Sequence, residues 1–384
     1  MQQTAAVRTV GIEEELLLVS RETGRPLSVA GRLLSRAQEH GVPVDPDGAP
    51  QPGPRPGGML EAELQQQMLE TDTQPREDMA VLSDDLRAWR LAAITAAREV
   101  GSRVVAVGTS PMPVVPQMVS TPRYQQIAER FGLTSAEQLT CGCHVHVSVE
   151  SDDEAVGVLD RIRVWLPPLL AISTNSPFWQ GQDTRYASFR SQALTRWPSA
   201  GPVDIFGSAQ AYRRLVSDMV ASGVLLDEGM VYFDARASHR YPTVEIRVAD
   251  VCLHTEDAIL VAALCRGLVE TAARQWTVGT DPPAVPTAML RLATWQSGRD
   301  GLGGDLLDPT TCRPRPAAEV LAGLVEHVRP ALRDTADEAL VDKGIEQVLA
   351  RGNGAQRQRA TLARTGDLVD VVADLARATA GQED

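Results

Sequence analysis

The sequence has little lysine, little cysteine, few aromatic residues and no long apolar run. Its 37 basic residues include one lysine, Lys343, so chemistry that needs a P-loop lysine or a Schiff base is not expected. Five cysteines in 384 residues do not form a disulfide scaffold. No stretch approaches the roughly 20 apolar residues of a transmembrane helix, and the first residues lack the apolar core of a signal peptide. These absences predict a cytoplasmic protein without membrane contact.

Basic residues are outnumbered by acidic ones, 37 to 50, so the net charge is −13. We therefore expect no broad nucleic-acid-binding surface, and an anionic ligand would need arginines or metal ions close by. With 43% hydrophobic and 23% charged residues, the composition is that of a globular protein that can bury a sizeable core.

The pattern of apolar residues predicts a single domain over 1–384, with strands and polar motifs in 8–250 and mainly helices in 251–384. This order favours an α+β fold with an antiparallel or mixed sheet. The expected strands are 8–19, 60–73, 103–107, 143–149, 230–236 and 242–250. The expected helices are 29–40, 75–100, 123–131, 154–173, 207–221, 256–276, 284–296, 317–334, 336–350 and 355–378. Residues 41–58 read as a loop, and the Gly- and Pro-containing segment 298–316 as a possible lid.

The acidic run of Glu13, Glu14 and Glu15 is the most informative motif. On a strand, Glu13 and Glu15 share one face, and Glu14 joins apolar residues on the other face. Two carboxylates beside an apolar core repel each other, and a divalent cation would remove that cost. The alternative is an exposed edge strand or a helix N-terminus, where acidic residues are ordinary.

A second strand carries His144, His146 and Ser148 on one face. Two histidines in this spacing are typical of metal-binding or catalytic strands, although a solvated face is the alternative. Cys141 and Cys143 have no second cysteine pair to complete a zinc site, so we expect both to be packing residues.

Glu245 and Arg247 share one face of a third strand, and Glu70 is one more candidate carboxylate. A glutamate and an arginine two residues apart can hold a metal ion and an anionic group side by side. A cross-strand ion pair on a wet face is the alternative. The aromatic and turn-rich segment 176–190 carries Arg185 and Arg190, which suit a carboxylate or phosphate unless this is a plain surface loop.

Together these strands predict a sheet with an apolar back for helices and a polar, concave front. Oxygen-rich ligands favour magnesium or manganese over zinc. Arginines beside such cations point to a polyphosphate substrate.

The order of the motifs GIEEE, QMLE, GTSP, CHVHVSV, SPFWQGQDTRYASFR, WPSAGP and PTVEIRVAD resembles the glutamate–cysteine ligase type 2 family of carboxylate–amine ligases. The resemblance runs from about residue 9 to residue 359. It implies a glutamine-synthetase-like catalytic fold, with an antiparallel sheet curved into a funnel and backed by helices. It also implies an ATP-dependent ligase that joins a carboxylate, typically the γ-carboxylate of L-glutamate, to L-cysteine or another amine through an acyl phosphate.

The resemblance also implies roles for individual residues, with ATP and Mg²⁺ or Mn²⁺ as cofactors and a homodimer as the assembly. The implied metal ligands are Glu13, Glu15, Glu70, His144 and Glu245. The implied catalytic residues are Arg247, His144 and Glu245. The implied nucleotide or substrate contacts are Arg185, Arg190, Arg247 and His146.

Two residues depart from the family pattern. Ser110 stands where the family's GTHP turn has histidine, which makes that turn a candidate for substrate selection. Glu14 occupies a usually apolar position between the two acidic residues.

Two other functions compete with the ligase. The first is a metal-dependent amide hydrolase built on His144 and His146, although His239, His254 and His327 do not lie in a metal-ligand spacing. The second is a catalytically silent nucleotide- or amino-acid-binding protein, against which the complete set of acidic residues argues.

Overall fold

The computed structural model describes residues 7–46 and 57–382, so part of the predicted loop 41–58 lies outside the described residues. The strands are β1 (Val10–Ser20), β2 (Val44–Asp45), β3 (Met59–Ala62), β4 (Met68–Asp72), β5 (Ser102–Val105), β6 (Gly142–Ser148), β7 (Phe178–Trp179), β8 (Gln182–Asp183), β9 (Ala235–Ala237), β10 (Thr243–Asp250), β11 (Asp305–Leu307) and β12 (Pro314–Pro316). The helices are α1 (Ala30–Glu39), α2 (Met79–Glu99), α3 (Pro122–Phe131), α4 (Leu133–Ala136), α5 (Asp152–Ile162), α6 (Leu166–Ser173), α7 (Phe189–Leu194), α8 (Ala209–Ala221), α9 (Thr255–Thr277), α10 (Thr287–Asp300), α11 (Ala317–Asp334), α12 (Glu338–Arg351), α13 (Gly354–Thr365) and α14 (Leu368–Thr379).

Eight strands form the main sheet, in the order β2-β3-β4-β1-β6-β10-β9, and β5 also pairs with β1. The long strand β1 pairs with β4 on one side, and with β6 and then β5 on the other. All pairings in this sheet are antiparallel except that of β2 with β3. The expected α+β fold with a mainly antiparallel sheet is thus confirmed.

The two faces of the sheet differ in the way that the alternation of β1 predicts. Ile12 and Leu16 are buried on the back, where α2 and α9 pack. Helix α9 is apolar around most of its circumference because it also contacts α5, α11 and α12. Glu13 and Glu15 point to the opposite face, which leaves that face free for a polar site.

Glu14 lies on the apolar back, as expected, and its charge is compensated there. Its two carboxylate oxygens accept hydrogen bonds from Arg90 at 2.7 and 2.6 Å, and the glutamate is 0% exposed. Arg90 also donates to the backbone carbonyls of Cys252 and Leu253. The unusual acid at this position therefore belongs to a buried ion pair between the sheet and α2.

Several predicted elements are interrupted. The expected strand 60–73 is a hairpin of β3 and β4, with a turn at 63–67. The expected strand 230–236 shrinks to β9 after a 3₁₀ turn at 228–230. The expected helix 355–378 is divided into α13 and α14 at Gly366, whose φ of 73° continues neither helix.

Residues 298–316 do not form the loop that the Gly and Pro content predicts. They contain the end of α10, a 3₁₀ turn and the β11–β12 hairpin. Leu306 on this hairpin is 1% exposed and packs with Ala171 and Val320. The loop prediction is therefore wrong, because the segment is a hairpin that packs against α6 and α11, and the lid role stays a prediction. Among the described helices, none has the length and apolarity to cross a bilayer.

Candidate active site

A cavity of about 650 Å³ opens on the polar face of the sheet. Strands β1, β4, β6 and β10 supply one side of it, and side chains from α3, α7 and α10 supply the other. Of the nine side chains predicted to form a site, eight line this cavity and Arg185 does not. The eight are Glu13, Glu15, Glu70, His144, His146, Arg190, Glu245 and Arg247.

Strand register explains why these residues meet. Glu13 lies opposite His144 across β1 and β6, and Glu15 lies opposite Glu70 across β1 and β4. His146 lies opposite Glu245 across β6 and β10. Directly opposed residues of an antiparallel pair point to the same face with their Cβ atoms about 5 Å apart. Antiparallel pairing thus gathers motifs that are far apart in sequence.

The first set of possible metal ligands, here named the histidine group, consists of Glu13, His146 and Glu245. One ligand atom from each lies within 4.8 Å of the other two. Glu13 is close to both histidines, at 3.1 Å from Nε2 of His146 and 3.3 Å from Nδ1 of His144. Burial opposes ionisation of Glu13, but the histidines outweigh it and lower the pKa of that carboxyl.

The surroundings of His144 favour its neutral form. Burial, and then the positive charge of Arg247, lower its pKa. Its Nε2 is buried without a hydrogen-bond partner among the described residues, and lies 4.0 Å from Glu15. An unpartnered ring nitrogen beside carboxylates suits a cation, since neutral imidazole is a metal ligand.

The second set, named the carboxylate group, consists of Glu15, Glu63 and Glu70, again with ligand atoms within 4.8 Å of one another. Burial and the charge of Glu15 raise the pKa of Glu63 to about 7. Burial, and then Glu13 and Glu63, raise the pKa of Glu70 well above its ordinary value. Crowded carboxylates of this kind are stabilised by a divalent cation. Both groups therefore fit hard metal ions.

Glu245 is held between two arginines. Arg236 donates two hydrogen bonds to its carboxylate, at 2.7 and 3.1 Å, and Arg247 donates another. Burial opposes ionisation, but these two guanidinium groups lower the pKa of Glu245 well below its ordinary value. Arg247 also lies 3.5 Å from Nδ1 of His144, between the strand histidine and the glutamate.

Arg190 and Arg185 lie in different surroundings, although only four residues separate them. Arg190 is 3% exposed, lines the cavity, and forms an ion pair of 3.8 Å with Asp250. Its guanidinium occupies the space beside Gly142, where any Cβ would collide with it. Arg185 is exposed outside the cavity, in a turn whose backbone carbonyl accepts a hydrogen bond from Arg299.

Glu63 and Arg236 are cavity residues that the sequence analysis did not predict. Glu63 has the same i, i+2 spacing from Glu61 that marks Glu13 and Glu15, but the interrupted strand conceals which way it points. Arg236 has no motif of its own, and only its pairing with Glu245 across β9 and β10 reveals it. Ser110 is buried, donates a hydrogen bond to the carbonyl of Met112, and does not line the cavity. Ser110 therefore does not contact a ligand in this cavity, although the sequence made its turn a candidate for substrate selection.

The matching family model and two similar relatives name the same family of enzymes. The model of glutamate–cysteine ligase family 2 matches residues 9–374. A Streptomyces avermitilis protein provisionally named glutamate–cysteine ligase 2-1 is 53% identical over 375 residues, covering 98% of this chain and all of the relative. A similar Streptomyces coelicolor protein, provisionally named glutamate–cysteine ligase 2, is 49% identical over 97% of this chain and 99% of the relative.

Solved structures share the fold at low sequence identity. A glutamate–cysteine ligase of Francisella tularensis, crystallised with AMP, superposes with a TM-score of 0.67 at 14% identity, over 98% of this chain and 88% of that one. A bifunctional glutathione synthetase of Pasteurella multocida gives 0.65 at 14% identity, over 98% of this chain and 52% of that one.

The fold is thus shared with a solved glutamate–cysteine ligase, and the family match defines the class of protein as an ATP-dependent carboxylate–amine ligase. The chain belongs to the glutamate–cysteine ligase family 2.

Proposed function

We propose that the protein joins L-glutamate, through its γ-carboxylate, to the amino group of L-cysteine or another amino acid, with ATP as the energy source. The observation that carries this proposal is that two groups of side chains able to hold a metal ion share one cavity wall, with Arg247 beside His144 and Glu245. Phosphoryl transfer needs alignment and charge neutralisation more than covalent help from the protein, and this wall supplies both.

In the proposed reaction, a carboxylate oxygen of the acid attacks the γ-phosphorus of ATP and ADP leaves. The amine then attacks the carbonyl carbon of the acyl phosphate, loses a proton, and displaces inorganic phosphate as the amide forms. Arg247 would neutralise charge on the transferring phosphoryl group, while Arg236 holds Glu245 in place from the other side.

The histidine group and the carboxylate group would hold Mg²⁺, or Mn²⁺, at the phosphates. When bound, such ions draw the phosphates and the acceptor carboxylate together by offsetting their negative charge. The ligands are mostly oxygen atoms, which favours these hard cations over zinc.

The test is phosphate release from ATP and Mg²⁺ with L-glutamate, across a panel of amines that includes L-cysteine. We expect release only when acid and amine are both present, with a γ-glutamyl amide as the product. Glu245→Gln should reduce the rate by about 10³-fold or more. Glu129→Gln, on the exposed surface of α3, is the matched control and should leave the rate unchanged.

The hydrolase alternative needs a metal held by both strand histidines. Within the described residues, His146 belongs to a possible ligand group and His144 does not join it. Amide hydrolysis without ATP would favour the hydrolase. Nucleotide binding without any turnover across the panel would favour a silent binding protein.

A further inference from the structure

Asp234 is a cavity carboxylate that the proposed mechanism does not use. It precedes β9 and lines the cavity, half-buried, beside Tyr232 and Phe233. Its backbone is fixed, because its N–H donates to the carbonyl of Gly201 at 3.1 Å and its carbonyl accepts from the N–H of Arg247 at 2.9 Å. Asp234 therefore holds its position without help from its side chain.

The side chain of Asp234 has no hydrogen bond or ion pair with any residue that the structure describes. Burial raises the pKa of this carboxyl to about 7, and among the described residues only the charge of Arg190 acts against the rise. A carboxylate that faces a cavity without a partner costs stability, so its retention needs a reason other than packing.

The nearby arginines are already engaged. Arg190 forms its ion pair with Asp250 and donates to the backbone carbonyls of Arg247 and Val248 at 3.4 Å. The side chains of Arg236 and Arg247 both donate to Glu245. None of these three arginines pairs with Asp234, and no other cation among the described residues does so, which leaves its carboxylate open to a cationic ligand.

A metal ion does not fit that role. Asp234 belongs to neither ligand group, and the guanidinium of Arg190 is its charged neighbour. A single carboxylate next to a positive charge is a poor site for a divalent cation, which needs several oxygen ligands. It is a good partner for one ammonium group, because a charge-assisted hydrogen bond is about twice as strong as a neutral one.

The distance between Asp234 and the Arg236–Glu245 pair also suits an amino-acid substrate. Asp234 lies two residues before Arg236, and so about 7 Å along the strand from the Arg236–Glu245 pair. This separation is of the order of the length of an amino acid. Asp234 is also next to Arg247, whose backbone N–H donates to its carbonyl, so a substrate that contacts Glu245 can place an ammonium group beside Asp234.

We propose that Asp234 binds the ammonium group of an amino-acid substrate in this cavity. The inference rests on the proposed function and narrows it, because it requires a substrate that carries an amino group at this subsite. The ammonium group belongs either to the acid substrate or to the acceptor, and the experiment distinguishes the two.

The experiment compares wild type with Asp234→Asn, which keeps the shape and removes the charge, and with Asp234→Glu. Asp218→Asn, on the exposed surface of α8, is the matched control. The KM values for ATP, L-glutamate and the acceptor are measured separately. We expect Asp234→Asn to raise one amino-acid KM by about 30-fold and leave the ATP KM within about threefold. Asp234→Glu should recover part of the loss.

The substrate whose KM changes identifies the source of the ammonium group. If it is L-glutamate, then glutarate, which lacks the amino group, should be used equally poorly by wild type and by Asp234→Asn. If it is the acceptor, the KM for L-glutamate stays the same. Unchanged KM values for both amino acids would overturn the inference.

Two further measurements keep the result unambiguous. The melting temperature of Asp234→Asn should equal or exceed that of wild type at pH 8, whereas a clear fall would mean that Asp234 is structural. If wild type neither binds ATP nor releases phosphate, the proposed function fails. Calorimetry with L-glutamate and L-cysteine on both proteins then tests the subsite alone, and equal binding or no binding would refute it.

Discussion

Two sets of acidic residues in this molecule differ in whether arginines neutralise their charge. Glu14, behind the sheet, and Glu245, in the cavity, are each held by arginines that already compensate their charge. The carboxylate group and Asp234 have no such compensation, and the pKa values of Glu63 and Asp234 rise to about 7. Glu14 is thus paired internally where no ligand is proposed to bind, whereas the carboxylate group and Asp234 lack an arginine ion pair where a cation is proposed to bind. Glu245 combines both situations, because it has two arginine partners and also belongs to the histidine group.

The largest effect is expected when the arginine partner of the buried Glu14 is removed. Arg90→Leu would leave Glu14 buried and unpaired, and should lower the free energy of unfolding by about 3–5 kcal/mol. Denaturant unfolding measures the loss. Arg87→Leu on the same helix removes a partly exposed pair with Glu256, and should cost about 1 kcal/mol or less. Equal losses in the two variants would contradict the distinction.

The second prediction tests whether Glu63, in the carboxylate group, is a metal ligand. Glu63→Gln removes one ligand from the carboxylate group, so the Mg²⁺ concentration that gives half-maximal phosphate release should rise at least about tenfold. Added Mg²⁺ should also raise the melting temperature of wild type more than that of the variant, since a ligand that binds the folded state stabilises it. Identical responses to Mg²⁺ would exclude Glu63 as a ligand.

The third prediction concerns the contribution of Asp234 to stability as the pH changes. Its pKa is near 7 in the folded protein and near the ordinary 3.8 in the unfolded chain. The folded state therefore keeps a proton that the unfolded state loses, and this residue's contribution to stability falls as pH rises from about 4 to 7. The melting temperature of Asp234→Asn relative to wild type should increase over this range, by about 2 °C or more. A constant difference between pH 5 and pH 8 would contradict the assignment.

The smallest effect is expected at Arg185, which is exposed outside the cavity. Arg185→Ala should change each KM by about twofold or less, as is usual for surface substitutions. Arg190→Lys should be far more damaging, because a lysine cannot reproduce the several contacts of the buried guanidinium. A large effect of Arg185→Ala would instead mean that this loop closes over the substrate.

Alternation along single strands was sufficient to predict much of the site. Glu13 and Glu15 share a face because side chains alternate, and the same rule placed His144 and His146 together. It failed at 60–73, where the turn that carries Glu63 interrupts the period. Composition was misleading at 298–316, where glycine and proline content indicated a loop and packing of Leu306 holds a hairpin instead.

The sequence by itself determined the class of fold, the polar and apolar faces of β1, β6 and β10, and eight of the charged and histidine residues that line the cavity. These follow from local periodicity and from an order of motifs that resembles a family. Only the tertiary structure decided the partners: Arg90 for Glu14, Arg236 for Glu245, and none within the described residues for Asp234. The physical reason is that compensation of a buried charge depends on groups far away in the chain, which strand pairing and helix packing bring within a few ångströms.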